Sequence, residues 1–397
     1  MPFALFHSKE SETHPTTKSE EMLPNVSFVT HKFNNRPKPK DRSRILIISC
    51  FSEFGCETVG ITYCIPRLIK RFPGMYIIAM GWYGRQYLYR HLVDEYWEIK
   101  EDYMHLRNRT FAFHHKSKNL SQIEEQAAKH GLVIPTSTLG KFAVGNICRT
   151  CGYFWNEWRF ATAKCPYCTS TVITNSLFGN AEVHKSSAVK VPRPSPAKLE
   201  WAKKLLGGKK SVAVFARGRK TYGRNLDAEF YKRLLQLLQS KGYNPIWLGE
   251  KQSTLPCPVD DVYDFSRSED ARDLEKTFAI ICNCDFTIQF WTASSRLAGL
   301  MGVPFILFES PEQIYCSGHQ PGQEGRRLEL TTFGGKKIVL AHYLKSADNP
   351  DMVLSYTDQA IEELKAKNYD DLISELVDVE STKDLQETYH AMIEGKI

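Results

Sequence analysis

The stretch from Cys284 to Pro311, CDFTIQFWTASSRLAGLMGVPFILFESP, restricts the fold more than any other part of this chain. Its residue order predicts a buried strand from Phe286 to Phe290, a tight polar turn from Trp291 to Ser295 and a helix from Arg296 to Met301. A stop at Gly302 follows, then a second strand from Val303 to Phe308. In such a unit the turn presents backbone N–H groups at the positive end of the helix, where a phosphate binds readily. Thr292, Ser294 and Ser295 add hydroxyl donors, and Arg296 adds a permanent positive charge.

The same alternation runs through the rest of the chain. Arg44 to Cys50 is a continuous apolar run of the kind buried in a parallel sheet. The loop FSEFGCE leads from it into a helix over Thr58 to Arg71, ended by Phe72-Pro73-Gly74, and Met75 to Met80 reads as the next strand. This is a βαβ unit, with a right-handed crossover and a ligand crevice at the carboxyl ends of its strands. Farther on, Ser211 to Phe215, Leu226 to Lys241, Pro245 to Leu248 and Leu274 to Ile281 read as strand, helix, strand and helix. The implied fold class is α/β, with two Rossmann-like, doubly wound domains facing one cleft.

With 397 residues the chain is long enough for two domains, and 42% hydrophobic content supplies ordinary cores. The expected division is a disordered basic arm over 1–42, a first domain over 43–190 that includes a zinc ribbon at 146–172, a second domain over 191–350, and terminal helices over 351–397. A Pro- and Ser-rich linker, Lys185 to Lys198, separates the two domains. No apolar run approaches the roughly 18 residues of a membrane span, and the N-terminus lacks a signal-peptide pattern. Eleven cysteines, four of them clustered, suit a reducing cytoplasmic compartment with one metal site better than a disulfide framework.

Those four, Cys148, Cys151, Cys165 and Cys168, form two CxxC knuckles. Two knuckles complete a tetrahedral thiolate shell with no open position, so the expected cofactor is a structural zinc, with an iron–sulfur cluster as the alternative. The ribbon carries Phe154, Trp155, Trp158 and Phe160 beside Arg159 and Lys164. Such rings either dock the ribbon on its host domain or stack on nucleic-acid bases. A net charge of +7 suits an enzyme of anionic ligands but is modest for a nucleic-acid binder.

The segment after Cys284 resembles the C-terminal domain of GT-B glycosyltransferases, the heptosyltransferase-like group above all, through Thr292, Leu297, Ala298, Gly302, Val303 and Pro304. Three positions depart from the family pattern: Trp291 stands in place of Asp, Ala293 in place of Gly, and Arg296 in place of His. The resemblance therefore implies an architecture and a nucleoside-diphosphate-sugar donor, but not a heptose. It implies that Arg217, Gly218, Arg219 and Lys220 hold the donor diphosphate together with Thr292, Ala293, Ser294 and Arg296. Arg224 falls where the family places a functional Lys, and Glu250 resembles its ribose-binding acidic residue. The loop SEFGCE offers Glu53 and Glu57 as the base that takes the acceptor proton, Glu53 first; both would also serve to cap the helix.

The resulting expectation is a glycosyltransferase whose catalysis needs no metal, acting on an acceptor hydroxyl. A modified nucleic-acid base, in DNA for instance, is one candidate acceptor, and a glycan or protein hydroxyl is another. The contrasting class is a nucleic-acid-binding protein that keeps the fold without catalysis. Cys148→Ser is expected to release the zinc and lower the melting temperature, as checked by metal analysis and a thermal melt; full zinc content with an unchanged melt would refute the ribbon.

Overall fold

The structure, a computed structural model, describes residues 26–52, 57, 61–100, 118–136, 145–148, 154–155, 173–176, 193–218, 226–251, 253–290, 297–298, 301–309, 325–331, 337–345 and 350–366. The first domain comprises β1 (Phe28–Lys32), β2 (Ile45–Ser49), α1 (Thr62–Arg71), β3 (Tyr76–Gly81), α2 (Gln86–Tyr89), β4 (Glu95–Ile99), α3 (Lys118–Ala128) and β5 (Leu132–Ile134). They form a five-stranded sheet in the order β1-β4-β3-β2-β5. Strands β2 to β5 run parallel, and β1 joins the edge antiparallel, from Phe28 opposite Ile99 to Lys32 opposite Glu95. Every residue of β2, β3 and β4 is buried, as strands covered on both faces must be.

Strand β4 is among those that the sequence reading omits, and here Glu95 and Glu98 interrupt the apolar pattern. Both carboxylates lie inside, and each is satisfied. Glu95 accepts hydrogen bonds from Tyr76 Oη at 3.0 Å, Trp97 Nε1 at 3.1 Å and Lys38 Nζ at 3.0 Å. Glu98 accepts from the Gly84 amide at 3.1 Å and lies 3.4 Å from His31 Nε2. A buried charge is tolerated when it is paired and hydrogen-bonded, and these are.

The arm expected over 1–42 is, from residue 26 onward, part of this domain. Besides β1, Arg36 donates to the carbonyls of Gly74 at 2.6 Å and Met75 at 2.9 Å, and it pairs with Asp94 at 3.3 Å. Asn34 Nδ2 donates to Asp94 Oδ1 at 2.8 Å. Lys38 lies over the Trp97 ring, 4.7 Å from its centroid. A polar segment is held here by charge pairs to residues about 60 positions away, which local composition does not reveal.

Three short strands follow: β6 (Gly145–Cys148), β7 (Phe154–Trp155) and β8 (Ile173–Ser176). They form a separate antiparallel sheet in the order β7-β6-β8, with Cys148 opposite Ile173. The span coincides with the expected ribbon; Cys151, Cys165 and Cys168 lie outside the described residues.

The second domain contains α4 (Pro196–Leu206), β9 (Ser211–Phe215), α5 (Ala228–Ser240), β10 (Asn244–Leu248), β11 (Tyr263–Asp264), α6 (Leu274–Cys282), β12 (Phe286–Phe290), β13 (Phe305–Glu309), β14 (Gly325–Thr331), β15 (Lys337–Lys345) and α7 (Pro350–Ala366). Its seven strands lie in the order β11-β10-β9-β12-β13-β15-β14, all parallel except β14. Helix α5 starts at Asp227, whose side chain accepts from the Phe230 amide at 2.7 Å, and it buries Phe230, Tyr231, Leu234, Leu235 and Leu238 at helical spacing.

The stretch from Tyr83 to His91 holds only the one-turn helix α2. Of the terminal helices expected over 351–397, α7 packs, as far as Ala366, on the second domain. Val353, Ala360, Ile361 and Leu364 join the core formed with α5, and Glu362 pairs with Lys241 at 2.6 Å. Among the described residues no helix is long and apolar enough to cross a membrane.

One core cluster runs continuously from β2, β3 and α2 of the first domain into α6, β9 and β10 of the second. Lys38→Met keeps the apolar stem over Trp97 but leaves Glu95 without its counter-charge. We expect a loss of about 1–2 kcal/mol, the cost for a buried pair reduced because Lys38 is itself partly solvated. Urea unfolding of the variant beside the parent protein checks it.

Candidate functional site

From β9 the chain of the second domain proceeds to β10 and β11 on one side of the sheet, then returns to β12, β13 and β15 on the other. Where the strand order reverses in an open parallel sheet, the two adjacent loops diverge and leave a crevice at the carboxyl ends of the strands. Here that point lies between β9 and β12, with Phe215 in register with Gln289. The connections leaving these two strand ends are ARGRKTYGRN and WTASSR, the two segments singled out for phosphate binding. The first domain has its own reversal between β2 and β5, closed by Ser49 and Thr136, whose buried hydroxyl oxygens are 2.8 Å apart. The SEFGCE segment departs from that point.

Arg217 and Gly218 sit at the edge of the second crevice. Arg217 is only 8% exposed, and its backbone forms an isolated antiparallel bridge with Thr254. The Gly218 amide donates to the Ser253 carbonyl at 2.8 Å. A Cβ on Gly218 would lie 2.8 Å from the Leu255 nitrogen and 2.9 Å from the Thr254 carbonyl carbon. The close approach that this glycine permits is thus made by the loop after β10, a constraint separate from any phosphate.

That loop is itself tightly built. Gly249 has φ +140°, and a Cβ there would fall 2.0 Å from Thr254 Oγ1. Arg267 donates to the carbonyls of Lys251 at 2.9 Å and Thr254 at 3.1 Å, and Trp247 Nε1 donates to the Leu255 carbonyl at 2.8 Å. The result is a fixed shelf at the end of β10 that carries Glu250 toward the other domain.

Glu250 meets Arg85 there. Arg85 Nη2 donates to Glu250 Oε1 at 2.6 Å, and Arg85 Nε lies 3.5 Å from Glu57 Oε2. Glu57 is fully buried, and its Oε1 accepts from Tyr89 Oη at 3.0 Å. Burial first, then the charge of Glu57, pushes the Tyr89 hydroxyl well above the usual phenol range, so it remains a donor. Tyr89, Glu57, Arg85 and Glu250 therefore form one polar chain from the first domain to the second. Contacts alongside hold it in place: Arg90 pairs with Glu275 at 3.0 Å, Tyr87 and Phe278 have ring centroids 5.3 Å apart, and Gly84 has φ +75° where a Cβ would be 2.8 Å from the Arg272 carbonyl oxygen.

The structure thus brings Glu57 and Glu250 into one assembly and places Arg217 and Gly218 on the neighbouring strand end. Glu57 is placed to hold Arg85. Glu53, Arg219, Lys220, Arg224, Thr292, Ala293, Ser294 and Arg296 lie outside the described residues. Leu297, Ala298 and Val303 are buried, the Val303 amide donates to the Ala298 carbonyl at 2.9 Å, and Gly302 has φ +71°, as a helix stopped at that glycine requires. Arg85 was missed by sequence reasoning. Its signal was available in an arginine placed just past the carboxyl end of an apolar strand, YIIAMGWYGR.

Gly249→Ala forces a side chain into positive φ and onto Thr254. We expect about 2–3 kcal/mol of destabilisation, read by denaturant unfolding, with the shelf under Glu250 displaced.

No family model matches the chain, and no curated protein matches it. Several solved structures are similar in fold. A glycosyl transferase family 9 protein from Veillonella parvula is 12% identical, over 85% of this chain and 94% of that one, with a TM-score of 0.43. The ADP-heptose LPS heptosyltransferase II of E. coli is 13% identical, over 80% and 99%, with a TM-score of 0.44. The wall teichoic acid polymerase TagF is 12% identical, over 89% and 90%, with a TM-score of 0.34.

Proposed function

We propose that this chain is a metal-independent glycosyltransferase of the GT-B type, moving a sugar from a nucleoside-diphosphate sugar to an acceptor hydroxyl. The observation that carries the reading is the register of β9 with β12 at the reversal of the second sheet. It brings together the starts of two segments that hold Arg217, Arg219, Lys220 and Arg224 on one side and Thr292, Ser294 and Arg296 on the other. Guanidinium and hydroxyl donors of this kind suit a diphosphate.

In this reading the donor lies on the second domain, with Glu250 at the ribose. The bond from the anomeric carbon to the diphosphate breaks as the acceptor oxygen bonds to that carbon. The acceptor proton passes to a carboxylate of the first domain. Glu53 takes that role, because the Glu57 oxygens are engaged by Tyr89 and Arg85. The departing nucleoside diphosphate gathers negative charge, which the cationic loop after β9 stabilises.

The four thiolates Cys148, Cys151, Cys165 and Cys168 hold a zinc that orders the ribbon and takes no part in the transfer. The antiparallel frame β7-β6-β8 supports it, since Cys148 closes β6 at the register position opposite Ile173. Thiolate ligation suits a reducing compartment and agrees with a cytoplasmic protein, as do the free thiols Cys257 and Cys284. For the acceptor, the aromatic and basic residues of the ribbon suit a hydroxylated nucleic-acid base, which would have to be extruded from a duplex; a glycan or protein hydroxyl is the alternative.

A thermal-shift screen against UDP, GDP, ADP, CMP and their sugar conjugates tests the donor site, because a ligand that binds the native state raises the melting temperature. A rise with one nucleotide class is expected. No rise with any of them, together with salt-sensitive DNA binding, would replace this reading by a non-catalytic nucleic-acid-binding protein. Arg217→Ala is expected to weaken binding of the responding nucleotide roughly 10- to 100-fold while the protein remains folded. Titration calorimetry with a melt of the unliganded variant checks both.

A further inference from the structure

The chain's polar connection between domains ends on a side chain that, unlike its neighbours, faces water. Arg85 has a side chain 5% exposed and Glu57 0%, whereas that of Glu250 is 40% exposed. A buried guanidinium is therefore anchored at its root by Glu57 and reaches across to a carboxylate whose side chain is partly open to water. Arg85 takes Glu250 Oε1 at 2.6 Å, and Ser253 Oγ lies 3.5 Å from Oε2.

We infer that Arg85 is a positioning residue for nucleotide recognition: through its pair with Glu250, the first domain sets the carboxylate that receives the ribose hydroxyls of a ligand bound to the second. The inference rests on the nucleotide site proposed above and adds to it a residue and a dependence. Glu250 stands at the carboxyl end of β10, next to β9 and the reversal point, where an acidic residue meets a ribose diol in doubly wound nucleotide-binding sheets. Its backbone is fixed by the shelf of Gly249, Ser253 and Thr254, but a glutamate side chain has freely rotating bonds of its own. Arg85 removes that freedom. The guanidinium is planar and rigid; its Nη2 donates to Glu250 while its Nε end is held by charge 3.5 Å from Glu57 Oε2, so the burial of one end limits how the other can turn.

Recognition of the ribose then requires the two domains to be in contact. Gly84, immediately before Arg85, allows the Arg272 carbonyl to approach, and the Gly84 amide is held by Glu98. Separating the domains would withdraw Arg85 from Glu250 and leave a mobile carboxylate facing solvent. Preorganisation of this kind makes hydrogen bonds to the diol more favourable without adding a contact to the ligand.

The test compares ribose and 2′,3′-dideoxyribose forms of the nucleoside diphosphate, among UDP, ADP and GDP, that binds the full chain most tightly. In the parent protein the ribose form should bind about tenfold more tightly. In Arg85→Gln that preference should fall to within roughly twofold, while the dideoxy form binds both proteins alike. Arg85→Lys, which keeps the charge but lacks the fork, should lose the preference too, and it serves if the first variant does not fold. A variant that retains the parent's preference, even at weaker affinity for both forms, would make Arg85 a brace between domains and overturn the inference. A parent protein that binds a nucleotide with no ribose preference would overturn it as well. A parent protein that binds none of the three overturns the nucleotide site itself.

Discussion

A guanidinium withdrawn from water must be matched by negative charge, and Arg85 meets this demand with one carboxylate from each domain. Without Glu57, a residue from the connection after β2, its Nε would face a closed interior. The pairing ties the carboxyl end of β3 to the carboxyl end of β10, and so points the loop-bearing ends of both sheets at the same space. The apolar cluster that passes from β2 and β3 into α6 and β9 supplies adhesion between the domains, but apolar contact is non-directional. The hydrogen-bonded charge pair adds direction.

The second domain shows how much of a site is set by backbone crowding. Gly218 and Gly249 both meet the segment Ser253–Leu255, one through a close approach of main chain and the other through positive φ against Thr254. Either glycine is easily assigned to ligand contact from sequence alone. Packing explains both, and it also explains why Arg217 begins the basic segment nearly buried while its backbone is fixed by Thr254.

The elements that were legible are those whose pattern reflects burial on both faces. Strands β9 and β12 lie where the apolar runs SVAVF and FTIQF predict them, and α5 follows its spacing of leucines and aromatics. Strand β4 was not legible, because its glutamates are paid for by Lys38, Tyr76, Trp97 and Gly84, partners that are distant or that look ordinary in sequence. The segment around Arg36 read as a solvated arm for the same reason. Of the candidate site, Arg217 and Glu250 were singled out by their place after strands and by the family resemblance. Arg85 has the same placement and was passed over, since nothing local distinguishes an arginine that will be buried from one that will not.

The sequence by itself determined the alternation of strands and helices, the parallel sheets that continuous apolar runs demand, and the polar segments that leave their carboxyl ends. These follow from short-range periodicity and from the need of a buried strand to be covered on two sides. Only the tertiary structure decided which of those segments face each other. The reversal between β9 and β12 depends on strand order, and the contact of Arg85 with Glu250 joins residues 165 positions apart. The energy of a charge pair depends on how far both partners are removed from water. That is a property of how the domains meet, and no stretch of sequence carries it alone.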